Sequence, residues 1–142
     1  MKKLLEKCSP HIYSIMRVVV GFLFACHGVQ KLFGVLGGTA NPVFSLMGLA
    51  GIIEFVGGLL VMLGFLTHIA AFITSGQMAA AYFIAHFPQG FWPIQNSGEL
   101  AVLYCFVFLY MAVRGAGNWS MDTLLSRRSA AIPIGTKVKT NG

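Results

Sequence analysis

The sequence reads IYSIMRVVVGFLFACHGVQKLFG over residues 12–34, and this stretch decides the fold. It is apolar, and at about 1.5 Å per residue it is long enough to cross a bilayer, which takes about 20 residues. It nevertheless carries Arg17, His27 and Lys31. His27 and Lys31 are separated by one helical turn and therefore share one face of a helix. Because ionisable groups at membrane depth usually face a bundle interior or a wet cavity, this helix needs partners that neutralise its charge.

The composition is typical of a membrane protein. Hydrophobic residues make up 56% of the 142 residues and charged residues 10%, whereas soluble domains carry about 25% charged residues. The net charge of +6 arises mainly from lysines and arginines near the two ends of the chain. By the positive-inside rule this distribution indicates cytoplasmic ends rather than nucleic-acid binding. The cysteines form no Cys-x-x-Cys pair, so neither a disulfide framework nor a dithiol redox motif is indicated.

Four apolar spans predict an all-α fold, an integral membrane four-helix bundle in up-and-down antiparallel order. The spans are expected near residues 12–34, 46–66, 69–87 and 98–113. Around them we expect a basic cytoplasmic N-terminal arm at 1–11, a four-transmembrane-helix domain at 12–114 and a basic cytoplasmic C-terminal tail at 115–142, flexible from residue 129. The arm ends near Pro10, a residue common at helix starts. Both termini then lie on the cytoplasmic side of the membrane.

The antiparallel order brings five ionisable side chains together in the outer half of the bundle, and they are the candidates for a polar pocket. Counted at about 1.5 Å per residue, two of them lie about 10–12 Å below the outer face and three within about 5 Å of it. The deeper two are His27 and Glu54, and the shallower three are Lys31, His86 and Glu99. Gly51 and Gly58 leave room on the helix face around Glu54. We therefore expect Glu54 to pair with His27 or Lys31.

Two interpretations of these five residues stay open. Either the acids only neutralise the basic groups and fix the bundle register, or the five side chains form a functional pocket that opens to the outer face. At about 100° per residue Gln77 lies opposite His86, so these two are not expected at one site. Arg17 lies nearer the cytoplasmic side and is expected to snorkel. No His-x-x-x-His or Glu-x-x-His pair is present, so we predict no metal site and assign no catalytic residue.

The order of four short motifs resembles the DoxX family of small four-helix membrane proteins. The motifs are His27-Gly28 with Gln30-Lys31-Leu32-Phe33-Gly34, Glu54-Phe55-Val56-Gly57-Gly58 with Gly64-Phe65-Leu66-Thr67, Asn96-Ser97-Gly98-Glu99, and Gly117-Asn118-Trp119-Ser120-Met121-Asp122. Together they place the resemblance over about residues 17–122. Ser97 is a departure, because family members often have Asn-Gly-Glu at the start of the fourth helix. No catalytic residue is carried over for that reason.

The resemblance implies an inner-membrane protein that acts as a quinone-interacting or accessory subunit of a membrane redox complex. The name-giving relatives of the family belong to a thiosulfate–quinone oxidoreductase. The chain has no Rossmann glycine fingerprint, haem-attachment motif or iron–sulfur cysteine set. We therefore expect no covalently bound cofactor; a redox cofactor would be a quinone or belong to a redox partner protein, and the chain would be at most an oxidoreductase subunit. A small-solute or proton transporter and a membrane scaffold for a partner protein, or a homo-oligomer, stay open as alternatives.

Overall fold

The chain folds into helices joined by short connections. The computed structural model describes residues 1–130, and over this range it contains no β-strand. The helices are α1 (Lys2–Phe33), α2 (Leu46–Leu63), α3 (Thr67–Ala81), α4 (Glu99–Arg114) and α5 (Met121–Ala130), with a π-turn at Tyr82–His86 and a 3-10 turn at Phe87–Gln89 between α3 and α4. The predicted all-α class is confirmed over this range. The part of the expected flexible tail at 131–142 lies outside the described residues.

Three helical segments within residues 1–130 are long and apolar enough to cross a membrane. They are Leu5–Phe33, Leu46–Leu63 and Thr67–Gln89, and they correspond to the first three predicted spans. α4 has 16 residues and is therefore about 24 Å long, shorter than a hydrocarbon core of roughly 30 Å. Large apolar side chains point outward from the helices; Phe72 of α3 and Phe106 of α4 are 67% and 64% exposed. This outer surface is the one expected for contact with lipid.

The first helix begins at Lys2 rather than near Ile12. Pro10, expected at a helix start, lies inside it. Proline removes a main-chain N–H and often ends or kinks a helix. Here the preceding turns are rich in leucine, lysine and glutamate, which are good helix formers, and Ser14 Oγ donates to the Pro10 carbonyl at 2.9 Å. Most of the expected N-terminal arm is therefore helical.

Glycines hold α1 and α2 together as an antiparallel pair with close backbone contact. Gly21 of α1 faces Gly58 of α2, and one heptad further along Gly28 faces Gly51. A Cβ added at Gly58 would stand 2.6 Å from the Ala25 nitrogen, and one added at Gly28 would stand 2.7 Å from the Gly51 carbonyl oxygen. No side chain fits at these distances, so glycine sets how closely the two helices approach.

The helices α3 and α4 form a second antiparallel pair, which packs through side chains. Ser75 Oγ of α3 donates to the Cys105 carbonyl of α4 at 2.8 Å. The two helix pairs meet where Phe24 of α1 contacts Phe108 of α4, with ring centroids 4.7 Å apart. Both rings are buried and belong to the hydrophobic core. This edge-on aromatic contact joins the two pairs at the centre of the molecule.

A buried arginine ties α1 to the end of α2. We distinguish two ends of the molecule. The terminal end holds the start of α1, the α2–α3 connection and α5. The loop end lies opposite and holds residues 34–45 and 90–98. At the terminal end Arg17 is fully buried and donates to the carbonyls of Val61, Met62 and Trp119. Val61 and Met62 lie in the last turn of α2, where the helix dipole is negative. Arg17 therefore binds a helix C-terminus. This corrects the expectation from the sequence that Arg17 snorkels.

Asp122, in the first turn of α5, caps the start of α3. Its carboxylate accepts hydrogen bonds from the amides of Leu66 at 2.9 Å and Thr67 at 3.1 Å, and from the Thr67 hydroxyl at 3.0 Å. Burial raises the pKa of the carboxyl, but these hydrogen bonds and the nearby His68 outweigh burial and hold the pKa below its ordinary value of 3.8. The helix α5, which the sequence did not predict, is thus tied to the α2–α3 connection.

We predict that Asp122→Ala lowers the free energy of unfolding by about 1 kcal/mol at neutral pH, as expected for the loss of a capping side chain. Because the folded pKa is depressed, the carboxylate contributes its full stability above its ordinary pKa of 3.8 and loses it as the pH falls through the lower folded value. Melting temperatures in nanodiscs, measured from neutral pH downward, should therefore converge for wild type and variant at the acid end. A constant difference at every pH would contradict the role given to the charge.

Candidate functional site

A charged cluster joins three helices on the loop-end side of the molecule. Lys31 Nζ of α1 forms a hydrogen-bonded ion pair with Glu54 Oε1 of α2. Gln77 Nε2 of α3 donates to the same oxygen at 3.1 Å. The Glu54 side chain is 1% exposed, whereas that of Lys31 is 25% exposed. The predicted pairing of Glu54 with α1 is confirmed, with Lys31 as the partner.

Gly51 allows this ion pair to form. A Cβ added at Gly51 would stand 3.0 Å from Lys31 Cβ, so the stem of Lys31 lies across the bare backbone of α2. Its ammonium group then reaches Glu54, which follows Gly51 by about one helical turn. A larger residue at position 51 would push the lysine stem away from the carboxylate. Of the two glycines expected to leave room around Glu54, Gly51 thus has a direct role in the pair, whereas Gly58 contacts the backbone of α1 at Gly21 and Ala25.

The cluster contains two acceptor atoms without a hydrogen-bond partner. Three buried side-chain polar atoms lack a partner within residues 1–130: Arg17 Nε at the terminal end, and Glu54 Oε2 and Gln77 Oε1 in the cluster. The amide orientation of Gln77 follows from its contact, because only its NH₂ group can donate to the carboxylate of Glu54. Leaving a buried acceptor unpaired costs about 1–3 kcal/mol. The cluster is therefore complete as an ion pair but incomplete as a hydrogen-bond network.

A cavity of about 720 Å³ lies beside the cluster, between the α1–α2 pair and the α3–α4 pair. We call it the inter-pair cavity. Most of its wall is apolar, and its polar lining consists of His27, Lys31, Glu54, Gln77, His86, Ser97 and Tyr104. This volume, together with apolar walls and a few convergent polar groups, is typical of small-molecule sites, which measure about 300–1,000 Å³.

Outward-facing side chains border the inter-pair cavity. Met47 of α2, Ile73 of α3 and Ile84 of the π-turn line it, and they are 47%, 51% and 56% exposed. The segments that carry them are apolar enough to span a membrane. We infer that the cavity faces the hydrocarbon region between α2 and α3. A molecule dissolved in the bilayer then has access to the charged cluster from the side.

The inter-pair cavity is lined by four of the five predicted pocket residues, namely His27, Lys31, Glu54 and His86. The ring of His27 stands edge-on to Tyr104, with centroids 6.2 Å apart, and His86 Nδ1 lies 3.0 Å from the Asn96 carbonyl oxygen. Glu99 is not among the lining residues; it is exposed in the first turn of α4, where an acid suits the helix dipole. The structure thus separates Glu99 from the other four candidates.

The π-turn brings Gln77 and His86 to one site, which corrects the expectation that they lie on opposite helix faces. The amide of Phe87 bonds to the Tyr82 carbonyl five residues earlier, so this turn holds one extra residue. The angle between Gln77 and His86 around the helix axis is then that of two residues eight positions apart in a regular α-helix, about 80°. Without the extra residue in the turn the angle would be about 180°. Pro88, which cannot donate to the helical ladder, is the sequence signal for such an irregular end.

Two more polar residues that line the inter-pair cavity, Tyr104 and Ser97, were not predicted. Tyr104 is buried in α4, and nothing in its apolar run distinguishes it from other core aromatics. Ser97 has a φ of 57°, in the left-handed region that few non-glycine residues adopt. The buried Asn96 next to it accepts a hydrogen bond from the Gly98 amide at 2.8 Å through Oδ1. The position where this chain departs from the family motif therefore lies at the cavity.

A second, smaller cleft lies at the terminal end. It measures about 410 Å³, and Asp122, His68 and Arg114 are among its lining residues. Two of these polar groups already bind neighbouring helices: Asp122 caps α3, and His68 Nδ1 lies 2.7 Å from the Ala112 carbonyl oxygen of α4. In the part of the chain that the structure describes, no group of three or more His, Cys, Asp or Glu residues is placed to hold a metal ion.

Comparison with known proteins identifies the family. A model of the DoxX family matches residues 12–87, which is more than half of the chain. The chain belongs to the DoxX family. The match covers α1 from Ile12 onward, α2, α3 and the π-turn, and so includes the ion pair of Lys31 and Glu54 together with Gln77 and His86. The resemblance inferred from the motifs is thereby confirmed.

Relatives of this DoxX protein occur in several bacteria. An uncharacterized protein of Haemophilus influenzae is 42% identical over 125 residues, covering 83% of this chain and 93% of the relative. The uncharacterized membrane protein Rv3486 of Mycobacterium tuberculosis is 30% identical, covering 91% and 90%, and the inner membrane protein YqjF of Escherichia coli is 29% identical, covering 80% and 92%. No solved structure matches the chain. These names and the apolar helices together identify a membrane protein.

We predict that Lys31→Met destabilises this DoxX protein by about 3 kcal/mol. Breaking a buried ion pair costs about 3–5 kcal/mol, and the lower figure applies because the Lys31 side chain is 25% exposed. The double variant Lys31→Met with Glu54→Gln, which leaves no unpaired charge, should recover most of the loss. Denaturation by SDS measures both effects.

The exposed Lys7 in the same helix provides the matched control. Lys7→Met should change the free energy of unfolding by less than about 0.5 kcal/mol, as is usual for surface substitutions. A Lys31→Met protein as stable as the Lys7→Met protein would show that the ion pair contributes nothing to the fold.

Proposed function

We propose that α1 to α4 all cross an inner membrane, up and down, with both termini in the cytoplasm. The outer face of α4 is apolar, with Leu103 61% and Val113 80% exposed. Because α4 is shorter than the hydrocarbon core, the loop-end connection before it completes the crossing. The exposed Trp92 of this connection suits the membrane interface. The basic side chains that would mark the cytoplasmic side lie at the terminal end, in the first turns of α1 and in α5; they are Lys2, Lys3, Lys7, Arg127 and Arg128.

Reporter fusions test this topology. We expect fusions at Asn41 and Gln95, in the two loop-end connections, to report the periplasmic side because an even number of spans separates them. A fusion after Arg128 should report the cytoplasm. Alkaline phosphatase and green fluorescent protein, which are active on opposite sides of the membrane, give complementary readouts. Asn41 and Gln95 on different sides would rule out a four-span arrangement.

In this bundle the inter-pair cavity binds a lipid-soluble molecule of the quinone class, and the protein serves as a quinone-interacting subunit of a membrane redox complex. The observation that carries this proposal is the combination of apolar walls and a charged cluster in one cavity of about 720 Å³. A quinone has the same two parts, an apolar ring and tail and a pair of polar ring oxygens. Few other molecules dissolved in a bilayer combine them in so compact a head group.

The lining residues divide according to these parts. Lys31, Glu54 and Gln77 form the polar end of the cavity, where the ring oxygens would be hydrogen-bonded. The rings of His27 and Tyr104 form an aromatic side on which a flat ring packs. The tail would leave between α2 and α3, past the exposed apolar side chains at the border. The residues of this chain thus bind and orient the molecule, and its electrons are exchanged with a partner subunit.

Transport of protons or small solutes is the second function that the buried Glu54 would suit, since intramembrane acids often mark ion pathways. A transport path has to continue to the terminal end. Val61, Phe108 and Met111 are each 0% exposed, and the last two lie on α4 between Tyr104 of the inter-pair cavity and Arg114 of the terminal-end cleft. The layer between the two cavities is therefore tightly filled. The inter-pair cavity ends at this packed layer, and a site closed on one side is better suited to binding than to passage.

A cavity-filling variant tests the binding proposal. Ala50 of α2 lines the inter-pair cavity, and Ala50→Phe places a benzyl group where a ligand ring would lie. We expect the quinone that copurifies with the wild-type protein from native membranes to fall at least about fivefold in this variant, because filled space excludes the ring. Mass spectrometry of extracted lipids and quinones, normalised to protein, provides the measurement.

Val56→Phe is the matched control for this substitution. Val56 lies on the same helix, is 47% exposed and does not line the inter-pair cavity. Quinone content in this variant should equal that of the wild type. Absence of quinone from the wild-type protein, or equal loss in both variants, would overturn the proposal; an equal content in Ala50→Phe and wild type would place the quinone elsewhere.

A further inference from the structure

The unpaired atoms of the charged cluster are both acceptors. Glu54 Oε2 and Gln77 Oε1 are buried and have no hydrogen-bond partner within residues 1–130. A carboxylate oxygen accepts only, and the carbonyl end of an amide also accepts only. Lys31 Nζ and Gln77 Nε2 both donate to Glu54 Oε1, and their remaining hydrogens do not reach the two unpaired atoms. A ligand that completes this network has to bring hydrogen-bond donors.

The identity of these atoms discriminates between ligands. A head group with only carbonyl oxygens could accept a spare hydrogen of the Lys31 ammonium, but it would leave both acceptor atoms unpaired, at the full desolvation cost. A head group with hydroxyl groups would donate to one or both atoms, and hydrogen bonds to a charged carboxylate are among the stronger ones. Glu54 is 1% exposed, so its unpaired oxygen has lost most of its contact with bulk water. The two unpaired acceptors therefore favour a head group that can donate hydrogen bonds over one that cannot.

We propose that the inter-pair cavity selects a donor-bearing head group, which in the quinone class is the reduced hydroquinone rather than the oxidised quinone. This inference rests on the proposed function for the chemical class but not for the donor requirement, which follows from Glu54 and Gln77 alone. The hydroquinone hydroxyls donate to Glu54 Oε2 and Gln77 Oε1. The ring packs beside His27 and Tyr104, and the tail extends toward the lipid. The site then binds the reduced form more tightly than the oxidised one.

Binding of matched probes tests the selection. Wild-type protein in phosphatidylcholine nanodiscs is incubated under argon with decyl-benzoquinone or with decyl-hydroquinone kept reduced by dithionite. The probe retained above empty nanodiscs is quantified by mass spectrometry. We expect the hydroquinone to bind at least about tenfold more tightly, the effect of about one charge-assisted hydrogen bond. Equal binding of the two forms, or tighter binding of the quinone, overturns the inference.

Gln77→Met removes the acceptor Oε1, together with the Nε2 group that donates to Glu54 Oε1, while it keeps a side chain of similar length. In this variant the preference for hydroquinone should fall by about fivefold, since one neutral hydrogen bond is lost. Gln95→Met is the matched control, because Gln95 is exposed and lies outside the cavity lining; its preference should equal that of the wild type. An unchanged preference in Gln77→Met would remove Gln77 from the site.

A second probe pair separates the donor requirement from the quinone class. The compound para-decylphenol and its methyl ether, para-decylanisole, differ only in the donating hydrogen. If neither quinone form binds but the phenol binds and the ether does not, the quinone proposal fails and the donor requirement stands. If the phenol and the ether bind equally, or if no probe binds, the donor requirement is overturned as well.

Discussion

A carboxylate buried among apolar helices has to be neutralised close by, and the rest of this structure depends on how Glu54 is neutralised. Lys31 reaches it from α1 and Gln77 from α3, so one oxygen atom links three helices. The contact is possible only because Gly51 and its neighbouring glycines let the backbone of α1 lie directly on α2. Sliding one helix by a turn, about 5.4 Å, would separate the charges and bring side chains into the glycine contacts at once. Charge and packing thus specify the same register.

The terminal end solves a different problem, the open hydrogen-bonding groups at helix ends. Arg17 satisfies carbonyls at the end of α2, and Asp122 satisfies amides at the start of α3. Two charges of opposite sign therefore close the two helix ends that the short α2–α3 connection brings together. At the terminal end the helix ends are bonded to one another, whereas at the loop end a cavity separates the two helix pairs. The inter-pair cavity can exist because the packing of the pairs is secured elsewhere.

Much of this arrangement could be predicted from the sequence. Hydropathy located the first three spans, and residue depth placed Glu54 at the level of His27, because a nearly straight helix rises evenly along its axis. The actual partner, Lys31, is the other predicted candidate and lies one turn from His27 on the same helix face. Three other features could not be predicted in the same way. The start of α1 was misplaced because Pro10 is tolerated within a helix, and α5 was missed because its amphipathic signal is short and polar. The cluster partner Gln77 was assigned to the wrong face because the sequence analysis assumed one angular period throughout the third span.

The π-turn also has a consequence for how related sequences align. A turn that holds one extra residue keeps the helix before it and the chain after it in place, so the extra residue costs no change in the surrounding fold. A relative with a regular α-helix at this point needs one residue fewer between its counterparts of Gln77 and His86 to point both at the same space. A single-residue gap in the alignment between positions 82 and 86 would then indicate that the relative keeps this geometry. An ungapped alignment with a relative that lacks the π-turn would indicate that its counterparts of Gln77 and His86 point in different directions. In this segment the number of residues carries more structural information than their identity.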